Sequence, residues 1–131
     1  MSGVLEGVVA VGTDICDVAR VQNMILRYGN TFLERTFTES EIAYCNKFKN
    51  SAERFAARFA AKEAMAKALQ CGFADGVSPK SLSVQNSESG APYAVLDDCA
   101  KNKMAAIGGK KMHISISHLK DYAVAFAVVS A

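Results

Sequence analysis

The sequence predicts an α+β domain in which a mainly antiparallel sheet packs against one long buried helix. Three observations carry this. Apolar runs of strand length occur near the start, the middle and the end of the chain, and helix-period segments lie among them without strict alternation. One segment, 52–69, has a helical period but is apolar almost all round, as expected of a helix inside a protein. The 131 residues, half of them hydrophobic, suit one domain, 1–131, with one core.

Gly7-Val8-Val9-Ala10-Val11-Gly12 is a short apolar run bounded by glycines and reads as a buried strand, with Thr13 and Asp14 at its end. Asp17 is placed to cap a helix running to Tyr28, with Val18, Val21, Met24, Ile25 and Tyr28 on one stripe. Gly29-Asn30 stops it. Thr38-Glu39-Ser40-Glu41 has the spacing of a capping box, so a short helix starts there. Ser51 is expected to cap the long helix, Ala52 to Leu69. Leu82-Ser83-Val84 and Tyr93-Ala94-Val95-Leu96 read as strands joined through the polar turn Asn86-Ser87-Glu88-Ser89-Gly90. Asp97 caps a helix with Ala100, Met104 and Ile107 on one face, ended by Gly108-Gly109. Met112, Ile114 and Ile116 then alternate with His113, Ser115 and Ser117 in a strand. After the turn His118-Leu119-Lys120-Asp121, the run Tyr122 to Val129 is apolar on both faces and is expected to be a central strand.

The charge balance, 15 basic against 13 acidic residues, excludes nucleic-acid binding by bulk charge. No apolar run reaches the ~18 residues that span a bilayer. Met1-Ser2-Gly3-Val4-Leu5-Glu6 has no basic segment leading into an apolar stretch, so no signal peptide is expected. Cys16, Cys45, Cys71 and Cys99 are widely separated, which fits reduced cysteines in a cytoplasmic protein better than a zinc site.

Four features do not fit a plain structural reading. Arg58, Lys62, Glu63 and Lys67 are embedded in the alanine-rich helix. An unpaired buried charge costs several kcal/mol, so these residues either pair in an ordinary ladder, Glu63 with Lys67 at i, i+4, or line a cleft. Asp14 follows the first strand directly. It is a cap or turn aspartate, or a ligating side chain at a strand end, and Asp17 competes for the cap role. His118 stands at the mouth of a turn beside Ser117. Arg20 and Arg27, seven apart, share a helix face that is either solvated or a dock for an acidic protein.

Two carboxylates with several cations suit a magnesium–phosphate site, because magnesium takes one or two carboxylates together with substrate phosphates. Asp14 and Glu63 supply the carboxylates if the first strand packs beside the long helix. Lys62, Lys67 and Arg58 then stand ready to hold a pyrophosphate.

The same residues carry a family resemblance. Gly12-Thr13-Asp14-Ile15 with Arg20-Val21 looks like the first motif of the holo-acyl-carrier-protein synthases, and Arg58-Phe59-Ala60-Ala61-Lys62-Glu63-Ala64 through Lys67-Ala68-Leu69 like the second. Gly90-Ala91-Pro92-Tyr93 resembles their Gly-x-Pro turn, and His113 to His118 followed by Tyr122-Ala123 their closing motif. Where that family commonly has Gly-Thr-Gly after the second motif, this chain has Gln70-Cys71-Gly72.

The resemblance implies the 4′-phosphopantetheinyl transferase fold, a cytoplasmic homotrimer with sites between subunits, and no nucleic acid or membrane as partner. It implies transfer of 4′-phosphopantetheine from coenzyme A to a serine of an acidic apo-acyl carrier protein, in support of fatty acid biosynthesis. Asp14 and Glu63 match magnesium ligands, and Lys67 matches a lysine on the phosphates near the reacting centre. Arg58, Gly90, Pro92, Ser117 and His118 match the coenzyme A pocket, and Arg20 and Arg27 match carrier-docking arginines. Two other readings remain: a different magnesium-dependent phosphodiester enzyme, and a catalytically silent trimeric module. The intact Asp14, Glu63, Lys62 and Lys67 argue against the silent module.

Overall fold

The computed structural model describes residues 7–131; the first six residues, on which the reading of the N-terminus rests, lie outside the described residues. The chain runs β1 (Val8–Asp17), α1 (Val18–Tyr28), α2 (Asn30–Thr36), α3 (Glu39–Cys45), α4 (Ser51–Ala68), β2 (Leu82–Asn86), β3 (Pro92–Leu96), α5 (Asp98–Ala106), β4 (Lys111–His118) and β5 (Tyr122–Ser130). Two antiparallel sheets form, a three-stranded one in the order β1-β5-β4 and the hairpin β2-β3. The expected α+β class and antiparallel pairing are both present, and β5 holds the central place its apolar sequence predicts.

The core is the contact between α4 and the inner face of the larger sheet. The register aligns Gly12 with Ala127 and Ile114, and Asp14 with Ala125 and Ile116. Ala123, Ala125, Ala127 and Val129 of β5 are buried there against Ala56, Ala60, Ala61, Ala64 and Ala68 of α4. Small side chains on both sides let the backbones approach. At Gly12 the approach is so close that a Cβ would stand 2.0 Å from the carbonyl oxygen of Ala64. The rest of α4 is packed by rings: Phe55 meets Phe37 with centroids 5.0 Å apart, and Phe59 meets Phe32 at 6.4 Å.

Local signals hold where they are chemical. The Asp17 carboxylate accepts from the Ala19 amide at 2.9 Å and starts α1. The capping box of α3 is complete, with Glu41 N–H donating to Thr38 Oγ1 and Thr38 N–H donating to Glu41 Oε1. The Asp97 carboxylate caps α5 through the Ala100 amide.

Three expectations are corrected. Ser51 is the first residue of α4, and Asn50 is its N-cap without a side-chain bond. Gly29 turns the chain at φ +54° straight into α2, so it is a corner between helices as well as a stop. β1 runs past Gly12 to Asp17, and its outer face leaves Val11 and Ile15 exposed, so it is an edge strand with one covered face. After α4 the chain turns through Gln70 at φ +64°, a left-handed conformation that costs a non-glycine residue ~1–2 kcal/mol.

Candidate active site

Because β1 continues through Asp14, that residue lies within the strand, on the face that also carries Gly12 and Cys16. Asp17 takes the capping role, which leaves the Asp14 carboxylate for other partners. The Gly12–Ala64 contact brings α4 against this point of β1, and Glu63 and Lys67, ~40° apart around the helix, share the side that faces it. Lys67 Nζ donates to the carbonyl of Thr13 at 2.9 Å and to Asp14 Oδ1 at 3.3 Å. Burial raises the Glu63 carboxyl above its ordinary range. Negative Asp14 raises it further, while Arg20 and Lys67 oppose the rise. The two acids and two cations therefore form one electrostatic cluster, at the β1 edge of the sheet.

Arg20 links this cluster to α1. It lines an open groove of about 510 Å³ with Asp17, Asn23, Met24, Arg27 and Tyr28. Arg20 and Arg27 thus share one face, as their spacing predicts, with Arg27 over the Tyr28 ring at 5.9 Å.

A second cluster lies at the opposite edge. A cleft of about 160 Å³ is lined by Tyr44, Arg54, Arg58, Asn86, Gly90, Pro92 and His118 among others. Arg58 is ~140° around α4 from Glu63, so the helix presents the two residues in different directions. The Arg58 guanidinium lies 4.2 Å from the Tyr44 ring centroid and donates to Asn86 Oδ1. Asn86 in turn donates to the carbonyl of Gly90 at 2.9 Å, which ties the hairpin turn to α4. Gly90 has φ +90°, a conformation glycine allows freely. Among the described residues, Arg54 Nε and Arg58 Nε are buried without a hydrogen-bond partner, an unusual state for such strong donors. His118 Nδ1 pairs with Glu53 Oε2.

Two sequence-based assignments change. Lys62 is fully buried, and its ammonium donates to Glu41 Oε1 at 2.7 Å, to the Pro79 carbonyl at 2.9 Å and to the Leu82 carbonyl at 3.1 Å. An ammonium has three hydrogens, so none remains for a pyrophosphate; Lys62 instead ties α4 to α3 and β2. Burial lowers its pKa, and Glu41 partly offsets that. Ser117 is exposed on the face of β4 opposite His118, because side chains alternate along a strand, so it does not line this cleft. Glu41, Glu53, Arg54, Tyr44 and Asn86 were not singled out from the sequence. The capping box marked Glu41 only as a helix-starter, and nothing local ties Glu53 to a histidine 65 positions on.

Fold and site together describe an α+β protein whose acid pair and cationic cleft flank one alanine-rich helix. Residues 10–127 match the model of the 4′-phosphopantetheinyl transferase superfamily. The chain belongs to that superfamily, among its holo-[acyl-carrier-protein] synthases. It is 40% identical to the holo-[acyl-carrier-protein] synthase of Koribacter versatilis, over 93% of this chain and 98% of that one. The crystal structure of the Neisseria meningitidis holo-[acyl-carrier-protein] synthase superposes with a TM-score of 0.86 at 27% identity, covering 95% of this chain and 99% of the other. The Helicobacter pylori holo-[acyl-carrier-protein] synthase, solved in complex with coenzyme A, gives 0.80 at 36% identity, covering 92% and 99%.

Proposed function

We propose that this chain, acting as one transferase domain, moves the 4′-phosphopantetheine arm of coenzyme A onto a serine of an apo-acyl carrier protein. A phosphorus–oxygen bond of the pyrophosphate breaks, the serine oxygen bonds to that phosphorus as its proton is released to solvent, and adenosine 3′,5′-bisphosphate leaves with the bridging oxygen. The observation that carries this reading is the juxtaposition of Asp14 and Glu63, with Lys67 bonded to Asp14.

That donor set fits magnesium. Both acids offer hard oxygens; burial chiefly raises Glu63, and the Asp14 charge that adds to the rise is what a bound cation would relieve. Asp14 and Glu63 would hold the ion, which when bound neutralises charge on the pyrophosphate. Lys67 adds a positive charge beside it, positioned for the phosphate that departs. Arg58, His118 and the Gly90/Pro92 turn line the cleft that takes the rest of coenzyme A, in which the unpartnered Arg54 and Arg58 nitrogens fit an anion. Arg20 and Arg27 dock the acidic carrier, and Arg20 brings that dock next to the acid pair.

The acid pair and the cleft sit at opposite edges of the sheet, which supports sites completed between subunits of a homotrimer. The outer sheet face supports it too. Val11 and Ile15 of β1 and Tyr122 and Phe126 of β5 are all exposed, an apolar patch of the kind that marks an interface. A second copy of the chain is its proposed occupant. Among the described residues no helix is long and apolar enough to cross a membrane; the proposed setting is the cytoplasm, in fatty acid biosynthesis.

The test is a mass measurement. The chain is mixed with apo-acyl carrier protein, coenzyme A and magnesium, and the carrier should gain one phosphopantetheine. No gain with several carriers, metal present, would favour a silent module. Arg20→Ala should weaken use of the carrier more than use of coenzyme A; equal weakening of both would remove the docking role.

A further inference from the structure

Glu53 lies in the first turn of α4, and its carboxylate meets His118 Nδ1 across 65 positions of sequence. Both side chains are mostly buried, with 16% and 23% of their surface exposed. His118 lines the cleft with Arg54 and Arg58, whereas Glu53 does not. The carboxylate therefore grips the imidazole from outside the cleft and leaves the rest of the ring facing in. We propose that Glu53 is a positioning residue: it fixes the orientation and tautomer of His118 so that the ring meets an anionic group of coenzyme A in the cleft. The inference rests on the reading of this cleft as the coenzyme A pocket.

The chemistry follows from the donor inventory. An ionised carboxylate only accepts, so the hydrogen of the pair sits on His118 Nδ1. An anion at Nε2 also only accepts, so a ring bridging carboxylate and anion carries hydrogens on both nitrogens. The charged groups around the ring are Glu53, bonded to Nδ1, and Arg54 and Arg58 of the same helix, which line the cleft with Tyr44 of α3. The same geometry removes rotation about the ring's side-chain bonds, which a free surface histidine would lose on binding. Carboxylates that orient imidazoles in metal sites work in the same manner.

The experiment uses the full-length chain with coenzyme A and apo-acyl carrier protein, magnesium present. Glu53→Gln keeps the size of the side chain and removes its charge. It should raise KM for coenzyme A by roughly ten-fold, with kcat at saturating coenzyme A within about two-fold. Nitrogen-15 spectra of the ring should show His118 protonated at Nδ1 in the parent and a mixture of tautomers in the variant. Glu53→Asp, which restores the charge, should recover part of the affinity. A thermal midpoint measured alongside separates a folding defect, which would not alter the tautomer pattern of the folded fraction. Wild-type KM in Glu53→Gln while His118→Ala raises KM would overturn the positioning role and leave the pocket standing. Unchanged KM in His118→Ala would overturn the assignment of the cleft, and the inference with it. An unaltered ring spectrum in Glu53→Gln would overturn the inference by itself.

Discussion

Replacing Gly12 by alanine tests the contact that assembles the acid pair. The added Cβ would lie 2.0 Å from Ala64 O, 2.8 Å from Ala68 N and 3.1 Å from Ala64 C, all of them backbone atoms of α4. Ordinary contact begins near 3.4 Å, so the helix has to retreat by about 1.4 Å at Ala64. No flexible side chain is available to yield instead. Overpacking of this kind costs ~1–3 kcal/mol. For a chain of this size 2 kcal/mol lowers the thermal midpoint by about 7 °C. Glu63 immediately precedes Ala64 on α4, so the retreat also displaces its carboxylate relative to β1. Misplacement by about 1 Å can cost on the order of 100-fold in rate, and kcat/KM should fall by that order at temperatures where the variant remains folded. Differential scanning calorimetry and the carrier-loading assay, both at one fixed protein concentration, read the two effects. Gly29→Ala is the matched control. It carries a backbone penalty at φ +54° with no atom within 4 Å of the new Cβ, so it should lose stability and keep kcat. A Gly12→Ala chain with the parent's midpoint and activity would refute the claim that this close approach assembles the site.

Lys62→Met leaves the buried Glu41 carboxylate without its cation and should cost ~3–5 kcal/mol, while KM for coenzyme A in the folded variant stays unchanged; a raised KM with an unaltered midpoint would return Lys62 to the binding site. Glu63→Gln should abolish phosphopantetheine transfer yet leave the metal-free protein at least as stable near neutral pH. The Glu63 carboxyl is raised in the fold, so the folded state binds more protons and stability falls as pH climbs above the ordinary glutamate range; an amide removes that slope, and urea titrations at several pH values measure it. Burial pushes the Cys16 thiol up to about 11 and the Cys45 thiol up to about 12. Their contribution to stability is present below the ordinary thiol value of 9.0 and is lost as pH rises through those values. Iodoacetamide on the native chain near pH 8 should accordingly spare both and reach the half-buried Cys71 and Cys99 first, as peptide mass mapping would reveal. The proposed assembly is tested by Phe126→Asp on the exposed outer face of β5, which should lower the sedimentation coefficient relative to the parent chain; an unchanged coefficient would remove this face as a subunit interface.

Much of the architecture is written in local patterns. The box Thr38 to Glu41, the Asp17 and Asp97 caps, the alternation along β4 and the apolar run of β5 each depend on neighbours within a few residues, and each formed as expected. The alanine-rich segment also announced itself, since charged residues inside an apolar helix require partners. What the helical period conveys is direction around α4. It cannot convey what stands in that direction. Lys62 and Lys67 are five positions apart on the same helix, yet one is sealed against Glu41 and two carbonyls while the other reaches Asp14 from an exposed position. Their fates were decided by α3, β2 and β1, elements distant in sequence. The pairing of Glu53 with His118 has the same origin. Hydrogen-bonded periodicity is a short-range property that the chain encodes residue by residue. Charge pairing depends on which distant segments exclude water from a shared space, and that is settled only when α4 closes on the sheet.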